Sequence, residues 1–200
     1  RTPAHHHYEM EALMNIAVLG TGKVGSALGA RLASSGHHVV YGSRNPTGAP
    51  GTLSLRDAVA SADVVITAIP GTAVLSTLEE IGEDVLADKI VLDPSAALTP
   101  QMTMASYGDS VARQVQSRFP RARVVKALNT MNFTIMVEPQ ASLPQATVFV
   151  SGDHQEAKRA VNGLLIDLAG HRTGSSTWVT SAPRWPPSTP HHCFLPPPGH

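Results

Sequence analysis

Cysteine is nearly absent from this chain. Cys193 stands alone among 200 residues, which excludes an internal disulfide framework and fits a reducing compartment. An excess of charge is absent too: Lys+Arg and Asp+Glu number 15 each, so no broad field favours nucleic acid or an anionic membrane surface. Any anion must therefore be bound locally. No apolar run approaches the roughly 20 residues that span a bilayer, and internal repeats are missing. Residues 1–13 contain the run His5-His6-His7 but no apolar stretch of a signal peptide. They read as an added or upstream extension before a start at Met14, or as a short native arm. The remainder is long enough for one domain with a sizeable core.

What is present is alternation. Asn15-Ile16-Ala17-Val18-Leu19 is an apolar run ending at Gly20, the pattern of a buried parallel strand. From 23 to 35 the residues Val24, Ala27, Leu28 and Leu32 recur at helical spacing, and Gly36 supplies the stop. Further strands are expected at 38–41, 63–69, 89–92, 124–128 and 147–150. Helices are expected from a Ser54 cap to 62, at 72–81, at 108–118, and at 155–169 behind an Asp153 cap. Leu164, Leu165 and Leu168 should form the inner face of that last helix. Strands alternating with helices predict an α/β fold: a single doubly wound, mostly parallel Rossmann-type sheet with helices on both faces, over residues 14–172.

The segment Gly20-Thr21-Gly22-Lys23-Val24-Gly25 fits G-x-G-x-x-G at the junction of the first strand and first helix. There the first glycine permits a tight turn, the second lets backbone approach a pyrophosphate, and the third allows close helix–strand packing. The helix N-terminus then holds the anion with free N–H groups and its dipole. After the second strand the chain reads Gly42-Ser43-Arg44-Asn45, without the carboxylate that would accept bonds from a ribose 2′-hydroxyl. Arg44 suits a 2′-phosphate through charge-assisted, often bidentate bonds, and Ser43 adds a hydroxyl donor. NADP is thus favoured over NAD. Ile69, Pro70 and Gly71, at the same carboxyl edge, should border the ribose and nicotinamide side.

Three further stretches narrow the class: Tyr41-Gly42-Ser43-Arg44-Asn45-Pro46, Val125-Lys126-Ala127-Leu128-Asn129-Thr130-Met131-Asn132, and Val150-Ser151-Gly152-Asp153 before a helix. With the opening glycine motif they resemble the NADPH-dependent reductases of the 8-hydroxy-5-deazaflavin coenzyme (coenzyme F-420), from about residue 14 to 172. The resemblance implies an NADP-dependent oxidoreductase, a deazaflavin or flavin-type acceptor lying against the nicotinamide, and direct hydride transfer between rings. It also implies a cytoplasmic homodimer whose partner molecule is a small redox carrier. Asn129, Thr130 and Met131 are the candidates for the acceptor cleft; the alternative for Asn129 and Thr130 is to cap the following helix. Both reactive carbons would belong to cofactors, so no catalytic residue is nominated. The alternative of another class is a non-catalytic NADP-binding sensor. Between Arg44 and Leu55 many members of that family have a longer helix, whereas here residues 45–51 read only as a loop, which bears on the adenine-side wall.

Other polar residues are read as structural. His191-His192-Cys193 matches no zinc spacing, and no metal is expected. His37 and His38 read as surface residues, and Glu79, Glu80, Glu83 and Asp84 as a solvated helix face and its exit. Asp93 either caps a helix or meets a ligand. Residues 173–200 are dense in proline, hold both tryptophans and lack periodicity. A two-base shift of reading from Gly174 permits Val-Leu-Asp-Leu-Gly-Asp-Val, a strand where one is due, so the tail reads as a frameshift or as a native proline-rich segment. A frameshifted tail should form no well-packed strand in the sheet and would weaken the dimer.

Overall fold

A computed structural model of the chain describes residues 13–46, 50–98, 101, 103, 109–139 and 147–170, and the backbone of 179–180. Six strands form one parallel sheet in the order β3-β2-β1-β4-β5-β6. They are β1 (Asn15–Leu19), β2 (His38–Ser43), β3 (Thr52–Ser54), β4 (Val64–Thr67), β5 (Ile90–Asp93) and β6 (Arg123–Lys126). Between them run α1 (Lys23–Ser34), α2 (Leu55–Ala60), α3 (Gly71–Ile81), the single turn α4 (Glu83–Leu86) and α5 (Val111–Arg118). After β6 come α6 (Phe133–Val137), the two-residue β7 (Thr147–Val148) and α7 (Gln155–Ala169).

The alternation of side chains along each strand sorts the core into two layers. Ile16, Val18, Val64, Ile66, Leu92 and Val125 face α1 and α7, whose Leu28, Leu32, Leu164, Leu165 and Leu168 close that side. Leu19, Val65, Val91 and Val124 face the opposite way, beneath Val74, Leu78 and Ile81 of α3 and Val115 of α5. Covering both faces is what a parallel sheet requires, and it explains why its strands are apolar without alternation. Each such side chain contributes about 1.5–3 kcal/mol by leaving water. Ser54 caps α2 by accepting from the Asp57 amide at 3.2 Å, as expected from the sequence.

Several expectations are corrected. The loop expected over 45–51 leads into a strand that the sequence did not announce: Thr52–Ser54 forms edge strand β3, with Tyr41 opposite Thr52 and Ser43 opposite Ser54. The helix expected over 23–35 forms as Lys23–Ser34, with Leu28 and Leu32 buried beside Gly25 and Gly29, and Val24 and Ala27 half-buried. Asp153 does not cap α7; His154 holds that position. His37 is not a surface residue. It is 7% exposed, its Nδ1 accepts from the Met14 amide at 3.2 Å, and its Nε2 lies 3.0 Å from Asp167 Oδ2. With Nδ1 accepting, Nε2 carries the proton and donates to Asp167, clamping α7 to the foot of β1 and β2. His38, Glu79, Glu80, Glu83 and Asp84 are exposed as expected.

The strand expected at 147–150 shortens to β7, after which Phe149 is 66% exposed and Ser151 makes an antiparallel bridge to Lys126. Val179–Thr180 pairs in parallel with β7, as a two-stranded sheet apart from the main one. The rest of the expected tail, the residues His191, His192 and Cys193, and the expected extension as far as residue 12 lie outside the described residues.

Candidate functional site

All six strands deliver their carboxyl ends to one edge of the sheet, the edge at which open α/β sheets bind ligands. Gly20 leaves β1 at φ +107°, a backbone that side-chain-bearing residues rarely adopt, and its amide donates to the Gly42 carbonyl at 3.0 Å. A methyl group on Gly20 would lie 2.5 Å from the Ala68 carbonyl oxygen, and one on Gly25 would lie 2.1 Å from that of Gly20. A methyl on Gly22 would meet nothing within 4 Å. The two outer glycines are therefore demanded by the protein's own packing, whereas the middle one borders open space. The first intrahelical bond runs from the Ser26 amide to the Gly22 carbonyl at 2.8 Å, so the first-turn amides of α1 have no partner within the helix. No acidic residue stands in that turn, and Thr21 and Lys23 are exposed beside it. An anion is what this end accommodates.

Register places the second half of the site. Leu19 of β1 lies opposite Gly42 of β2 and Thr67 of β4. Ser43, Arg44 and Asn45 therefore emerge on one side of the glycine turn, and Ala68, Ile69, Pro70 and Gly71 on the other. Ser43 Oγ accepts from the Asn45 amide at 3.2 Å, which folds the chain back at the strand end. Arg44 and Asn45 are exposed, and among the described residues the Arg44 guanidinium has no hydrogen bond or ion pair. Ile69 Cγ2 would stand 2.9 Å from a methyl on Gly20, and a methyl on Gly71 would stand 2.6 Å from the Ala96 carbonyl oxygen. The Ile69–Gly71 segment is thus wedged between the glycine turn and the loop after β5.

Beyond β6 the backbone turns at Leu128, which adopts φ +67° although it is no glycine. A buried leucine in that region stores strain, of order 1–3 kcal/mol, which surrounding packing must hold. The turn presents Asn129 half-buried, Thr130 exposed and Met131 half-buried at the same edge. The capping role that was open to Asn129 and Thr130 falls to Asn132, whose Oδ1 accepts from the Thr134 amide at 2.7 Å. Asn129 and Thr130 are therefore left without a capping duty.

One constellation at this edge escaped the sequence reading. Asp93, fully buried, accepts at Oδ1 from Thr67 Oγ1 and from the Ser95 amide, each at 3.0 Å. Its Oδ2 accepts from Lys126 Nζ at 2.7 Å, and Lys126 also donates to the Ser95 carbonyl. Asp93 thus neither caps a helix nor stands free for a ligand. Ser95 Oγ is buried with no partner among the described residues. The signal was legible in principle: Thr67, Asp93 and Lys126 are the polar last residues of three apolar strands that turn out to be adjacent. Among the described residues no group of three His, Cys, Asp or Glu side chains could hold a metal ion, and no helix is long and apolar enough to cross a membrane.

Comparison with known proteins supplies the context. Residues 15–97 match the family model described as NADP oxidoreductase, coenzyme F420-dependent. A crystal structure of a candidate F420-dependent NADP-reductase from Arthrobacter sp. FB24 is 34% identical, with a TM-score of 0.74 and 84% of each chain covered. The F420-dependent NADP reductase of Methanocaldococcus jannaschii is 29% identical over 187 residues, covering 80% of this chain and 81% of that protein. The metalloreductase STEAP3 of Rattus norvegicus is 33% identical over 157 residues, but this chain spans only 31% of its length.

Proposed function

The chain belongs to the family of coenzyme F420-dependent NADP oxidoreductases, and on that premise we propose that it passes hydride between NADP(H) and a deazaflavin coenzyme. The observation that carries this reading is the glycine turn, closed by packing at Gly20 and Gly25 and open at Gly22, beside an Arg44 that has no partner among the described residues. The pyrophosphate lies on the first-turn amides of α1, from Gly22 to Gly25, with Thr21, Lys23 and Val24 around it. Arg44 grips the 2′-phosphate, with Ser43 and Asn45 beside it, and Ile69, Pro70 and Gly71 border the nicotinamide ribose. Asn129, Thr130 and Met131 line the acceptor side.

When bound, NADPH supplies the hydride, and the acceptor takes it together with a proton from solvent. The protein's own task is orientation: holding two rings at reacting distance with water excluded supplies much of the acceleration, and no side chain has to exchange a proton. The family resemblance extends the reading to a homodimer working in the cytoplasm; light scattering of the purified protein tests the first of these.

Two measurements test the cofactor and the acceptor. NADPH should bind more tightly than NADH, and Arg44→Ala should erase roughly 10- to 150-fold of that preference, the worth of one charge-assisted contact. A wild type indifferent to the 2′-phosphate, or an unchanged ratio in the variant, removes Arg44 from the site. For the acceptor, NADPH oxidation is followed at 340 nm with the deazaflavin, FMN, FAD and ferric chelates offered in turn. Turnover with the deazaflavin is the expected result. If protein that binds NADPH reduces none of them, the chain is a dinucleotide sensor and not an oxidoreductase.

A further inference from the structure

The buried cluster at the ends of β4, β5 and β6 has no part in the proposed binding scheme, yet it connects to both the Ile69–Gly71 segment and the turn after β6. Lys126 Nζ bridges Asp93 Oδ2 and the Ser95 carbonyl, so one ammonium fixes both the end of β5 and the loop that leaves it. Its main chain is pinned as well, through reciprocal bonds with Ser151 at 2.8 and 2.9 Å. The loop it holds carries Ala96, whose carbonyl oxygen abuts Gly71, and Ile69, just before Gly71, abuts Gly20. In the other direction Lys126 is two residues from the strained Leu128, and the Ala127 amide donates to the Asp93 carbonyl at 3.4 Å. The nicotinamide wall and the acceptor turn are thereby referred to one ion pair whose side chains are 13% and 1% exposed.

Resting on the hydride-transfer reading above, we propose that Lys126 is a positioning residue. Through Ser95 and Asp93 it sets the separation between the Ile69–Gly71 wall and the Asn129–Met131 turn, and so the distance between the two reacting rings. It touches neither ring. A displacement of about 1 Å in such a scaffold costs on the order of 100-fold in rate while leaving distant binding contacts intact.

Removing Lys126 alone would strand the Asp93 carboxylate, so the test uses the charge-balanced pair Lys126→Met/Asp93→Asn, checked for folding by its thermal melt. With the 8-hydroxy-5-deazaflavin coenzyme as acceptor, kcat should fall roughly 10- to 100-fold. The isotope effect with NADPH deuterated at the transferred position should rise, and the Kd for NADPH, from fluorescence titration, should stay within about threefold. The rise in isotope effect is what a merely structural pair would not produce. Hydrogen exchange gives a readout independent of turnover: NADPH should slow the amides of Ala97 and Asn129 in wild type and fail to do so in the variant. A folded variant with wild-type kcat and isotope effect overturns the proposal. So does a loss of NADPH affinity as large as the loss of kcat, which would make the pair a binding element. A wild type that turns over no deazaflavin overturns the parent reading and this one together, and is distinguished by the wild-type control alone.

Discussion

Gly25→Ala should cost about 3 kcal/mol or more of stability, whereas Gly22→Val, three residues away at the N-cap of α1, should cost only about 1 kcal/mol and weaken dinucleotide binding about 100-fold or more. The added methyl at 25 would sit 2.1 Å from a backbone oxygen and 3.0 Å from its carbon, both belonging to Gly20. Neither atom is the far end of a flexible side chain, so the helix or the turn must move, and overpacking of this kind sits at the upper end of the usual 1–3 kcal/mol range. For a domain of this size that lowers the melting temperature by roughly 6–12 °C. At 22 the backbone has φ −75° and ψ −175°, which any residue adopts, and nothing lies within 4 Å of the new Cβ. The branched side chain there fills only the space that a pyrophosphate would occupy. Breaking two charge-assisted hydrogen bonds to that group corresponds to about 100-fold or more in Kd. Paired thermal melts with and without NADPH separate the two effects. Wild-type NADPH affinity in Gly22→Val would remove the cradle from the binding site, and an unperturbed melt for Gly25→Ala would contradict the close approach.

Lys126→Met should cost about 3–5 kcal/mol, because it leaves the Asp93 carboxylate charged, buried and short of its strongest partner. Thr67 and the Ser95 amide remain, but both serve Oδ1; Oδ2 keeps no donor among the described residues. Desolvation of a buried charge outweighs the two bonds that remain to it, so the single variant should melt roughly 6–20 °C below wild type. Adding Asp93→Asn should recover about 2 kcal/mol of the loss, because the buried site is then neutral. Urea titrations of the four proteins complete the cycle and yield the coupling. A single variant that loses less than about 1 kcal/mol, or a double variant equal to the sum of its parts, would mean that the pair is not tightly coupled.

The alternation of strands and helices was legible because burial on both faces leaves a mark at every strand residue. Ile16 to Leu19, Val64 to Ile66 and Val91 to Leu92 are uniformly apolar, and the spacing of Leu164, Leu165 and Leu168 declares the inner face of α7. The glycine turn was legible for a related reason: its three constraints act within six residues, and glycine is the residue type that meets them. Strand β3 was not legible. Thr52-Leu53-Ser54 carries no apolar run, and it is a strand because β2 offers an open edge beside it.

Two other differences are long-range. His37 is adjacent in sequence to an exposed histidine, yet it is buried because α7 brings Asp167 to it from 130 residues away. Asp93 and Lys126 are each a polar residue closing an apolar strand, and nothing local says that they meet. Their pairing depends on β5 and β6 being neighbours in register, with Asp93 opposite Lys126, a consequence of the order in which the sheet is wound. By itself the sequence determined most of the strands and the glycine turn between β1 and α1, since each is set by the chemistry of a few consecutive residues. The tertiary structure alone decided which strand ends stand side by side, and hence that a buried Asp93–Lys126 ion pair ties the end of β6 to the loop that leaves β5.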